Sequence, residues 1–225
     1  MRPTRIEGVI KMDNSKKWMR NHFVDGHEYV DLGLPSGTLW ATCNIGATKP
    51  EEYGDYYAWG ETSTKNTYNW TTYKYSKGDE DELTKYCNDS DFGNNGFTDN
   101  LTALQTGDDP ATANWGSDWC MPTKEQWDEL LMNTTNELTT QNEVYGRLFT
   151  SKKNGVSLFL PAAGLRWDNR FFWVGLYGLY WSSTLYTDYP LLAWSFDFYS
   201  DNYDMNDDYR GCGRSVRAVR SARQN

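Results

Sequence analysis

Hydrophobic and polar positions alternate over short distances almost everywhere in this chain. Residues 1–28 are polar and weakly patterned, with short helical character around Lys16–Phe23, and read as an N-terminal arm holding both histidines, His22 and His27. From Tyr29 onward, segments rich in Tyr, Trp, Thr and Val, such as YVDLGLPSG and WATCNIGA, are broken by Gly, Asn, Asp and Pro. That is strand-and-turn composition. Gly60–Asn114 is dominated by Thr, Asn, Asp, Gly and Tyr, which predicts long ordered loops. One helix is well marked: Thr123 and Gln126 supply a capping box, and Trp127, Leu130 and Leu131 form one apolar face through about Asn133. Val156–Pro161 then reads as an apolar strand. Further on, Trp194, Phe196 and Phe198 alternate with Ser195, Asp197 and Tyr199. A period of two puts the first set in a core and turns the second outward. The pattern as a whole predicts an α+β fold with a β-rich core, few helices and long ordered loops.

Composition narrows the function classes. The 225 residues carry a net charge of -9, so a phosphate backbone would have to bind against the protein's own field, and no nucleic-acid partner is expected. Apolar runs such as Phe171–Val174 are strand-length, far short of the roughly 18 residues of a membrane helix, so no membrane insertion is expected. The charged start has no apolar segment behind it, and no secretory signal is visible. Cys43, Cys87, Cys120 and Cys212 form no CxxC pair. A disulfide among Cys43, Cys87 and Cys120 and a set of small buried hydrophobes are both open readings.

Six stretches, in order, resemble a known family: YVDLGLPSGTLWATCNIGA (29–47), EEYGDYYAWGE (51–61), WCMPTKEQW (119–127), LPAAG (160–164), YWSST (180–184) and GRSVRAVR (213–220). They resemble the Fibrobacter succinogenes major paralogous domain over roughly Tyr29 to Arg220. That family is similar in its C-terminal half to the formylglycine-generating-enzyme type of C-type-lectin fold. Chains ending like this one resemble the variable proteins of diversity-generating retroelements, in which C-terminal codons are rewritten at template adenines to diversify a ligand-binding face. The resemblance implies an arm at 1–28 and a lectin-like domain at 29–225, with a variable region about 164–213. Cys120 departs from the family, which usually has a basic residue after Trp119.

Codon logic gives that implication a check. Rewriting the adenines of an Asn codon yields Tyr, Asp, Ser, Leu, Phe, Cys, Arg or His among others, but never Lys, Gln, Glu, Trp or Met. The chain holds 11 Lys, 11 Glu and 4 Gln, and none of them lies in Gly164–Gly213. Trp181 and Trp194 cannot arise this way and are expected to be scaffold. The resemblance then implies display at Leu176, Tyr177, Leu179, Tyr186, Asp188, Tyr189, Ser195, Asp197, Tyr199, Asp201, Asp204, Asp208 and Tyr209, with Phe171 and Phe172 as weaker candidates. Tyr supplies stiff amphipathic contacts and Asp and Ser adaptable polar ones, as in antibody paratopes.

Other chemistries fit less well. The triplets of calcium-dependent sugar binding are missing, and fold alone does not confer that function. Asp204-x-Asn206-x-Asp208 opens like a calcium loop, but Tyr209 and Ser215 stand where Gly and Glu are needed, so a solvated acidic loop and no metal are expected. A formylglycine-generating activity would need paired cysteines near the C-terminus, where only Cys212 is found. Neither histidine lies in a triad and GxSxG is absent, so no catalysis and no cofactor are expected. Asp108 and Asp109 are expected to order a loop through turns and caps. The sequence reading is therefore a non-enzymatic module that binds a protein or glycan on a cell surface, on a phage tail or a bacterial surface, with oligomerisation through the arm possible. The alternative is a fixed structural or carbohydrate-binding domain of the same family.

Overall fold

The computed structural model describes residues 22–221. The first strands are β1 (His22–Val24), β2 (His27–Val30) and β3 (Thr38–Ala41), followed by the helices α1 (Pro110–Trp115) and α2 (Lys124–Asn133). Then come β4 (Thr134–Gln141), β5 (Val144–Ser151), β6 (Ser157–Pro161), β7 (Leu165–Trp167) and β8 (Arg170–Phe172). The last four strands are β9 (Tyr177–Leu185), β10 (Leu192–Tyr199), β11 (Asn202–Tyr209) and β12 (Val219–Ser221). They form sheets ordered β1-β2-β3-β12, β11-β10-β9, β4-β5-β6 and the hairpin β7-β8. This is the β-rich α+β architecture the pattern predicts, and among the described residues no helix is long and apolar enough to cross a membrane.

The two ends of the described chain meet in one sheet, where Trp40 pairs with Val30 on one side and Val219 on the other. The arm read from the sequence overlaps this sheet: His22–Glu28 belongs to the paired hairpin of β1 and β2, and the Lys16–Phe23 helix falls mainly on residues outside those described. Helix α2 has the expected capping box, Thr123 Oγ1 accepting from Gln126 N (3.3 Å) and Gln126 Oε1 from Thr123 N (2.9 Å). Asp109 caps α1 by accepting from Ala111 N (2.8 Å).

Two cores sit on opposite faces of the β9–β10 layer. In one, Trp127 of α2 stacks on Phe196 with ring centroids 5.0 Å apart, and Phe149, Leu158, Tyr180 and Phe198 fill the space around them. Gly178 is required there, because a Cβ would lie 2.0 Å from the Phe198 ring. The other core supports the loops between β3 and α1, whose backbone has few ladder partners. Aromatic side chains tie these loops down instead: Trp181 Nε1 donates to Tyr57 O (2.8 Å) and Tyr73 OH to Trp59 O (2.8 Å) within them, while Trp59 Nε1 and Tyr56 OH of the loops donate out to Ser182 O (2.8 Å) and Ala163 O (2.6 Å). A buried aromatic with a polar tip removes apolar area from water and satisfies a carbonyl that would otherwise be orphaned. The four cysteines are free, so none of the disulfides left open by the sequence is formed.

Candidate binding face

Antiparallel pairing sets which residues share the outward face of β9, β10 and β11. Tyr177 lies opposite Tyr199, which lies opposite Asn202; Leu179 opposes Asp197, which opposes Asp204; Trp181 opposes Ser195, which opposes Asn206. The aromatic end of this face is open. Tyr199 is 41% exposed and stacks on Tyr177 at 4.8 Å between centroids, and Trp173 also packs against Tyr177, tilted, at 5.2 Å. Leu176, 60% exposed, is the residue just before β9. Trp173 is held by the LPAAG motif, since a Cβ on Gly164 would meet Phe172 O at 2.1 Å, and Gly164 adopts φ +63°.

Not every expected display position is on view. Leu179 (3% exposed) and Ser195 are buried, contrary to expectation. The outer edge of β9 is closed by the C-terminal segment, where Trp181 N donates to Ser215 O (3.1 Å) and Tyr180 bridges to Ser215. From the same segment Arg214 reaches across the row, its guanidinium 5.0 Å from the Trp181 ring centroid. It is bonded to Asp197 Oδ1 (2.7 Å) and to Asp208 Oδ2. Asp197 and Asp208 are thus counter-ions of a buried cation, and their proximity holds Arg214 firmly charged against the desolvation that opposes it. Trp194, expected in the core, is half-buried instead. It falls where the β9–β10 register shifts, so its ring turns to Tyr186 (5.0 Å) and under Lys124 Nζ (4.9 Å).

Tyr186, Asp188 and Tyr189 belong to the loop between β9 and β10, at the opposite end of the sheet from Tyr177. Nine residues of strand separate Tyr177 from Tyr186, about 30 Å at the usual rise per residue. There Tyr189 packs on Phe92 (4.8 Å), and Tyr209, which ends β11, sits edge-on to Trp70 (6.0 Å). The structure therefore gathers Leu176, Tyr177, Tyr199 and Asp204, with Asp201 in the turn after β10, at one end, and places Tyr186, Asp188, Tyr189 and Tyr209 at the other. Phe171 is exposed and Phe172 half-buried.

Asp201–Asp208, read from the sequence as a solvated loop, is instead the turn into β11 and the strand itself. Asp204 Oδ1 accepts from Met205 N (2.8 Å) and Asp208 Oδ1 from Tyr209 N (2.7 Å), which satisfies N–H groups along a sheet edge. Among the described residues no group of three or more metal-ligating side chains is gathered.

Sequence reasoning passed over Trp173, noted only within the apolar run Phe171–Val174, and over the arginines. Arg210, Arg214, Arg217 and Arg220 are all buried. Arg210 donates to Tyr86 O (2.6 Å) and Pro190 O (2.9 Å), and Arg217 to Thr42 O (2.8 Å) and Asn44 Oδ1 (2.9 Å). A guanidinium has five donors in a planar fork, so it can bind several loop carbonyls at once. The presence of four arginines within GRSVRAVR and just before it was the only available signal. No family model, curated protein or solved structure matches the chain.

Proposed function

We propose that the end of the β9–β11 sheet carrying Trp173, Leu176, Tyr177 and Tyr199 is the ligand-binding surface of a non-enzymatic, C-type-lectin-like module. Its C-terminal codons are diversified by a retroelement, and its targets are proteins exposed on a cell surface. The observation that carries this reading is the open aromatic stack Trp173–Tyr177–Tyr199 on a frame fixed from below by Trp181 and Arg214. Surface aromatics seated on paired strands, as Tyr177 and Tyr199 are, or on the tight turn that leads into one, as Trp173 is, are what a binding hot spot needs, because little freedom is lost when a partner covers them. Display on a phage tail or a bacterial surface follows from the resemblance of the motifs.

The experiment is to sequence the DNA flanking this gene and seek a near-identical template copy of codons 164–213. The expected result is a template that differs only at adenines, with changes concentrated at Leu176, Tyr177, Tyr199, Asp201 and Asp204. A flanking region with neither template nor reverse transcriptase gene would refute diversification.

One observation favours the alternative, a fixed carbohydrate-binding domain. A cavity of about 390 Å³ lies beside the exposed Phe171 ring and is rimmed by Asp55, Thr64 and Asn66. A ring beside polar groups suits a sugar. That reading predicts glycan-array binding that Phe171→Ala abolishes. Within the Trp173–Tyr177–Tyr199 stack Tyr177 is half-buried and already in contact with two neighbouring rings, so the stack suits a protein partner better than a sugar ring.

A further inference from the structure

We infer that the partner of the Trp173–Tyr177–Tyr199 surface is a protein segment presenting Lys or Arg side chains, a deepening that rests on the binding face proposed above. The protein already shows what this face does with a cation. Arg214, from the same chain, is held between Asp197 and Asp208 over the ring of Trp181, which combines ion pairing with a cation–π contact. The exposed end repeats the same pair of chemistries with its cation only on the inner side, where buried Arg147 lies over the Tyr203 ring (4.5 Å), donates to Ser200 O (2.8 Å) and feels the Asp201 charge; among the described residues no cation is paired with Asp204 on the outward side. Tyr199, backed by Tyr177, supplies the exposed ring, Asp204 lies two residues from the Tyr199–Asn202 pair, and Asp201 sits in the adjoining turn.

The local charge balance is one-sided. Gly164–Gly213 contains seven Asp, three Arg and no Lys. Of the three arginines, Arg210 is buried and Arg166 donates to Lys65 O and Asn66 O (both 2.9 Å), leaving Arg170 as the exposed cation of the window. Asp204 and Asp201 are both exposed, Asp204 accepting only from its neighbour's N–H through Oδ1 while Asp201 lies near the buried Arg147. Set in a chain of net charge -9, this face attracts cations and repels an anionic glycan or phosphate surface. Arg is the better match of the two, because its planar fork both stacks on rings and pairs with carboxylates.

The test is to pan a random-peptide phage library on the full-length chain and measure binding of the enriched peptides. The expected result is enrichment of Arg- and Lys-bearing peptides whose affinity falls about tenfold or more on Tyr177→Ala/Tyr199→Ala. Asp201→Asn/Asp204→Asn, which keeps the side-chain volume and an acceptor for Met205 N, is expected to lower affinity several-fold and flatten its salt dependence. Enriched peptides that are neutral or acidic, yet lost in the double Tyr variant, would overturn the cation inference and leave the binding face standing. Peptides indifferent to the double Tyr variant would overturn the face itself. Glycan-array binding lost in that variant, with no peptide enriched, would overturn the inference in favour of a sugar ligand.

Discussion

The two sides of β10 obey one strand periodicity and meet different fates. Phe196 and Phe198 point into a core where Trp127, Phe149 and Tyr180 complete the packing. On the other side Tyr199 is open, Asp197 is half-buried in an ion pair and Ser195 is sealed. Alternation determines which way a side chain points; what lies there is decided by another part of the chain. On the outward side the decision is made by residues 213–216, which close the edge of β9 and send Arg214 across the row. The outward face is therefore graded from a buried, charge-paired foundation near Trp181 to an exposed aromatic end at Tyr199.

The comparison can be broken in several ways. Phe196→Ala is expected to lower unfolding free energy by about 3–5 kcal/mol, the usual loss for truncating a buried ring. Urea denaturation measures it, and a loss under about 1 kcal/mol would show that the inner core is not as closed as described. Removing both counter-ions with Asp197→Asn/Asp208→Asn leaves Arg214 buried and uncompensated, with an expected loss of about 3 kcal/mol. Adding Arg214→Met to that variant is expected to recover part of the loss, since an apolar side chain of similar length carries no charge to strand. If the triple variant is no more stable than the double, the ion-pair account fails.

Tyr199→Ala sharpens the contrast from the other side, with an expected change within about 0.5 kcal/mol in stability alongside the loss of binding described above. The smallest effect concerns Asp207, on the inner side opposite Trp194. Burial, and then the nearby Asp208 and Asp197 carboxylates, push its carboxyl above the usual range, against the pull of Arg214. Ionising a group whose folded pKa is raised opposes folding, so this penalty is absent at low pH and grows as pH rises through the carboxylate range. Asp207→Asn is expected to raise Tm slightly at neutral pH, with the gain disappearing on acidification. A gain that grows on acidification would reverse the assignment.

Much of the regular structure was legible. The capping box of Thr123 and Gln126, the apolar strand before Ala162 and the burial of Trp181, Phe196 and Phe198 follow from local patterns, because caps and strand alternation depend on neighbours in sequence. Pairing of His22–Glu28 was not legible, since a short polar hairpin shows little periodicity of its own. Nor was β11, whose Asp and Asn residues are poor strand formers that tertiary pairing overrides. In the candidate site, Leu176 and Tyr199 are exposed as expected with Tyr177 half-buried against Tyr199, whereas Leu179 and Ser195 are buried and Trp173 was missed. Codon reasoning distinguishes which residues can vary and carries no information on what packs above them.

By itself the sequence determined the β-rich layout, the helix and its cap, the aromatic and acidic character of the C-terminal tract, and the sidedness of β10. These depend on composition and on interactions within a few residues. Only the tertiary structure decided that the expected display set divides between two ends of a sheet, and that Asp197 and Asp208 serve Arg214. Those outcomes require segments far apart in sequence to meet: Arg217 donates to Thr42, and Trp59 to Ser182. A buried guanidinium or indole N–H must find its acceptor wherever the folded chain supplies one, and no local pattern records where that will be.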